Sequence, residues 1–89
     1  MALTGEHLRA ASEMFGVAPS LRDAAALWRT RHPEVRVVLV DAMDMRDETP
    51  VLLLGGSRRL YLAATNGHCW SITKQPEEAT ALILTQEQL

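Results

Sequence analysis

The sequence predicts an α+β domain in which two N-terminal helices, an αα-hairpin, pack on a four- to five-stranded, mainly antiparallel sheet. Two apolar stripes at three- and four-residue spacing open the chain, and that spacing sets side chains on one side of a helix. Residues 51–73 then read VLLL-GGSR-RLYLAAT-NG-HCWSIT, three apolar runs separated by two turn signals. Short runs bounded in this way read as strands. The 89 residues, 1–89, make one small domain with a single modest core.

Thr4 is an N-cap, with Glu6 in the first turn where the helix dipole favours an acid. Leu8, Ala11, Met14 and Phe15 form the first stripe, and Gly16 is expected to end the helix as a left-handed residue. Ser20 with Asp23 resembles a capping box and opens the second helix, whose stripe is Leu21, Ala24, Ala25 and Trp28. His32 precedes Pro33 and closes it, because proline pushes the residue before it out of the α region. Residues 35–40 are β-branched and apolar, a strand; 41–50 form a polar connection. After Pro76 the acids Glu77 and Glu78 suggest a brief helical turn, and 81–85 an edge strand.

Asn66-Gly67 suits a two-residue type I′ hairpin, since both residues tolerate positive φ. That loop sets Ala63 opposite Trp70 and Tyr61 opposite Ile72, so Tyr61, Ala63, Trp70 and Ile72 share a face. A four-residue turn at Gly55, Gly56, Ser57 and Arg58 sets Leu52 opposite Tyr61, on that same face. Leu60, Leu62, Ala64 and Cys69 take the other face. Both faces are apolar and two helices can cover one, which predicts an uncovered face for association through Tyr61, Leu62 or Trp70.

Charge and composition narrow the function classes. A hydrophobic fraction of 47% with 22% charged residues is ordinary for a globular domain. A net charge of −2 argues against a strongly basic nucleic-acid or membrane-surface binder. The single Cys cannot form an internal disulfide, which fits a reducing compartment; with no signal-peptide pattern and no membrane-length apolar run, the cytoplasm is the expected location. Acids gather at Glu34, Asp41, Asp44, Asp47 and Glu48, while 51–75 carries Arg58, Arg59 and Lys74 and no acid. These read as solvated loops flanking an apolar sheet.

Three residue sets carry candidate chemistry. His68 and Cys69, with Met43 and Met45, offer soft donors of a kind that suits Cu(I) or a redox sensor. Adjacent strand residues point to opposite faces, so His68 and Cys69 do not readily act together; Cys69 as a core hydrophobe and the Met pair as gap fillers are the simpler reading. Arg22, Arg29 and Arg31 on the second helix would meet phosphates if the helix pair were a helix-turn-helix, with 55–59 as a basic wing. Against that, Arg22 occupies a position such motifs usually bury. Trp28 reads as a core anchor, and Gly55-Gly56 lacks the Lys and helix of a phosphate loop. No paired carboxylates or Ser/His/Asp set can be assembled, so no enzyme is expected and no cofactor is implied.

Leu60-Tyr61-Leu62, Gly67-His68-Cys69-Trp70-Ser71-Ile72-Thr73, Glu78-Ala79-Thr80 and Leu82-Ile83-Leu84 carry a resemblance over about a third of the chain. In that pattern the chain resembles the C-terminal half of a family of small uncharacterised bacterial proteins encoded beside nitrogen-fixation genes. The resemblance implies a cytoplasmic accessory role around nitrogenase or its electron supply, a strand at 81–85, and no active site to carry over. The expectation is therefore a non-enzymatic accessory protein that docks on another protein or forms a homodimer through an apolar sheet face. A helix-turn-helix regulator and a metal or redox sensor at Cys69 and His68 are the alternatives.

Overall fold

Helix α1, Gly5–Val17, begins at Thr4, whose hydroxyl accepts the His7 amide at 3.2 Å while His7 Nδ1 accepts the Thr4 amide at 3.1 Å. This is a capping box closed by an imidazole where a carboxylate is usual. A computed structural model describes residues 3–54, 57–66 and 69–86 of the chain. Gly16 does not stop α1: the helix runs to Val17, and its C-cap Ala18 is extended, with φ −66° and ψ 145°. Helix α2, Leu21–Arg31, starts where Ser20 accepts the Asp23 amide and buries the expected Leu21, Ala24, Ala25 and Trp28. It ends at His32, whose amide donates to the Trp28 carbonyl at 2.7 Å.

The strands are β1, Arg36–Leu39; β2, Leu52–Leu54; β3, Arg58–Asn66; β4, Cys69–Thr73; and β5, Ala81–Gln86. The fold is α+β, two helices followed by a five-stranded, mostly antiparallel sheet in which β1 and β5 run parallel. A 3-10 turn at Pro76–Glu78 precedes β5, as the acids after Pro76 suggest. β5 is not an edge strand, because it lies between β1 and β3 and all of Ala81 through Thr85 is buried. A run apolar on both faces suits that interior place. Residues 58–60 of β3 pair with β2 and with β5, and residues 62–63 pair with β4 and with β5. β2 and β4 therefore lie end to end along one side of β3.

Both predicted hairpin registers shift. Asn66 pairs with Cys69, so Ala63 opposes Ile72 and Trp70 opposes Thr65, and the connection is 67–68 rather than Asn66-Gly67. Partners change by two positions, which leaves Tyr61, Ala63, Trp70 and Ile72 on one face as expected. The 67–68 connection itself lies outside the described residues. Leu52 pairs with Leu60 and Leu54 with Arg58, one residue tighter than the four-residue turn. Ser57, at φ 63°, takes the left-handed conformation that makes the tighter turn feasible. A one-residue shift reverses faces: Leu52 and Leu54 join Leu60 and Leu62, and Leu53 joins Tyr61.

The helices cover the Leu60, Leu62, Leu82 and Leu84 face, where Phe15, Trp28, Val35 and Val37 complete a continuous core. Each fully buried side chain of this size contributes about 1.5–3 kcal/mol. The opposite face is not left open at its centre. β1 and β2 lie on opposite sides of the β5/β3 pair, so segment 40–51 must cross the sheet, and it does so over this face. Met45, in a 3-10 turn at Ala42–Met45, packs with Val40 against Tyr61, Ala63, Ala81 and Ile83. Tyr61 donates its hydroxyl to the Met45 carbonyl at 3.4 Å.

Candidate functional site

The expected association residues separate. Leu62 is buried beneath the helices and Tyr61 beneath Met45, so neither can meet a partner in the folded chain. The reason is the crossing segment, which supplies the second cover that two helices could not. Trp70 does remain half exposed, at 50%, on the outer face of β4. Leu53, 75% exposed, stands on the same face of β2. The apolar surface that survives is thus the β2/β4 border of the outer face.

Edges of the sheet differ in their protection. β1 carries the exposed Arg36, and Arg29 Nη2 donates to the Val37 carbonyl at 3.4 Å. Charged side chains at an edge discourage a foreign strand. β4 reads Cys-Trp-Ser-Ile-Thr and has no charged residue, and among the described residues it pairs with β3 alone. Ser71 on this strand is exposed and Ile72 half-buried.

The soft-donor set does not come together among its described members. Met43 and Met45 share one 3-10 turn but face apart, Met43 being exposed and Met45 buried under the sheet. Cys69 opens β4, and its side chain, with the whole of His68, lies outside the described residues.

The arginines divide as well. Arg22, Arg29 and Arg31 are all exposed on α2. At 3.6 residues per turn, Arg22 and Arg29 share a side and Arg31 lies opposite, so the three do not form one patch. Arg29 is engaged on the Val37 carbonyl. Of the expected wing, Gly55 and Gly56 lie outside the described residues, and Arg58 is buried. Its guanidinium donates to the carbonyls of Phe15, Ala18 and Pro19 at 2.9, 2.6 and 3.2 Å, and its Nε to Gln86 Oε1 at 3.2 Å.

One constellation is assembled only by the fold, from residues on two separate segments. His7, at the third position of α1, His32, capping α2, and Glu34, just before β1, converge. Glu34 Oε1 is 3.3 Å from His7 Nε2 and 3.5 Å from His32 Nδ1, and the three residues each offer a ligand atom within 4.8 Å of the others. Trp28 forms the floor: its ring centroid is 4.4 Å from that of His32, and its Nε1 donates to the buried Val35 carbonyl at 3.0 Å. The Glu34 carboxyl sits below its ordinary value of 4.5, mainly through a hydrogen bond from its own backbone amide. Desolvation opposes this; the His7 hydrogen bond and the electrostatics of His32 and His7 reinforce it.

Thr4 Oγ1, 3.2 Å from His7 Nδ1, gives the chain Thr4–His7–Glu34 the connectivity of a hydroxyl–imidazole–carboxylate triad. The geometry is that of a cap. Nδ1 already accepts the Thr4 amide and Oγ1 accepts the His7 amide, so the imidazole is not placed to take the hydroxyl proton. The signal that could have exposed part of the cluster is the His32-Pro33-Glu34 triplet: it forms a turn closed by the Val35 amide on the His32 carbonyl at 3.2 Å, and such a turn brings two nearby side chains together.

An open apolar groove of about 510 Å³ runs between the helices, lined by Ala10, Met14, Val17, Ala24 and Leu27 among others. Among the described residues no helix is long and apolar enough to cross a membrane. Comparison with protein-family models, with curated proteins and with solved structures finds no match to this chain.

Proposed function

We propose that this protein is a non-enzymatic interaction module whose partner is a second copy of itself, joined strand to strand along β4. The observation that carries the reading is the uncharged β4 edge with Trp70 half exposed beside it. Strand addition at such an edge supplies main-chain hydrogen bonds, and side-chain pairs supply register. A two-fold axis at Ser71 would set Trp70 of one protomer opposite Ile72 of the other, an aromatic–β-branched pair. The guarded β1 edge favours β4 as the joining strand. The resemblance to proteins encoded beside nitrogen-fixation genes would set this dimer in an accessory role near nitrogenase or its electron supply, in the cytoplasm.

Sedimentation equilibrium tests the reading. Wild type at about 100 µM should sediment as a dimer if the dissociation constant is micromolar. Trp70→Glu and Ser71→Lys, both at exposed positions, should give monomers with unchanged circular dichroism. A wild-type monomer at that concentration refutes the reading. A dimer that survives both substitutions but breaks on Val17→Glu or Leu27→Glu refutes the β4 assignment in favour of the helix groove.

A further inference from the structure

We propose that His7, His32 and Glu34 form a binding site for a divalent transition-metal ion of the zinc(II) class. Two imidazoles and one carboxylate are borderline donors that suit zinc and its neighbours better than calcium or magnesium. Tetrahedral ligands about 2.1 Å from an ion stand roughly 3.4 Å apart. The two contacts of Glu34 Oε1, at 3.3 and 3.5 Å, already have this separation. His7 and His32 each offer a ring nitrogen within 4.8 Å of the other's, so closing the third pair needs only a small approach.

The surrounding groups are arranged as outer support for such ligands. Metal-bound imidazoles usually donate their other N–H to a neighbouring acceptor, which fixes ring orientation. Thr4 Oγ1 stands 3.2 Å from His7 Nδ1 and can accept it. Without metal, Nδ1 accepts the Thr4 amide, so the ring proton resides on Nε2 and points at Glu34. Zinc binding at Nε2 therefore moves that proton to Nδ1 and exchanges one half of the capping box for a bond to the hydroxyl. His32 is held by its packing on Trp28 and by its own place at the end of α2. The partly exposed ligands leave the outward coordination position to water. The ion would pin the first turn of α1 to the α2–β1 connection. None of the three ligands lies on β4, so the site does not depend on edge pairing there.

Titration calorimetry with zinc chloride on the full chain, after chelator treatment, tests the proposal. Wild type should bind one zinc per chain, and His32→Ala and Glu34→Gln should weaken binding about tenfold or more. His7→Gln keeps a glutamine able to close the capping box, so it should lose zinc affinity equally while melting like the metal-free wild type. Nitrogen NMR of the His7 ring should show Nε2–H without zinc and Nδ1–H with it. Absence of saturable binding overturns the proposal, as does equal binding by all three variants or a His7 tautomer that zinc leaves unchanged.

Discussion

Arg58 reaches from the start of β3 to the Phe15 carbonyl, 2.9 Å from its Nη1, and so caps α1 from the sheet. The last carbonyls of a helix lack intrahelical donors and carry the negative end of its dipole. In a chain where Gly16 does not make the usual left-handed stop, this buried guanidinium does the capping and ties α1 to β3.

Arg58→Met should therefore cost about 2–4 kcal/mol, since it removes four donor contacts and strands three carbonyls. Arg58→Lys should recover part of that, because a single ammonium cannot span the same fork. Urea unfolding gives the ranking wild type, Lys, Met. A Met variant within about 0.5 kcal/mol of wild type would mean that the cap is dispensable.

Thr85 is buried on the outer face, and its hydroxyl has no hydrogen-bond partner among the described residues. Thr85→Val keeps the shape and removes the desolvated oxygen, so it should be neutral or stabilising by up to about 1 kcal/mol. Thermal denaturation decides it; a clear loss of stability would reveal a partner for the hydroxyl.

Trp28 joins the core to the His32 ring. Trp28→Phe loses the bond to the Val35 carbonyl and leaves a void, at a cost of about 2–3 kcal/mol. It should also weaken zinc binding by loosening His32. Unchanged zinc affinity in a folded variant would show that the stacking does not position the ligand.

His7 has a structural role that can be separated from metal binding. In the presence of chelator, His7→Ala should lose about 0.5–1 kcal/mol through the broken capping box, and His7→Gln should not. Equal losses in urea unfolding would argue that Glu34, not the cap, is the contact that matters at this ring.

Local features were legible in the sequence. Ser20 and the stripe from Leu21 to Trp28 define α2 through contacts three and four residues apart, which a linear reading sees directly. The α+β class followed from the same periodicities. What escaped depends on distant residues. The Leu52–Leu60 register turns on one left-handed residue, Ser57, where the sequence suggests a glycine turn. The interior place of β5 comes from its parallel pairing with β1, some 45 residues away. The burial of Tyr61 required Met45 to be carried across the sheet by a segment that reads as a polar loop. His7 and Glu34 meet across 27 residues, and nothing in their spacing marks them as neighbours.

The most direct measurement of the β4 pairing is amide hydrogen exchange at several protein concentrations. Edge pairing predicts that protection within 69–73 rises with concentration while that of 36–39 in β1 stays constant. Protection in 69–73 that is independent of concentration up to about 100 µM would contradict it.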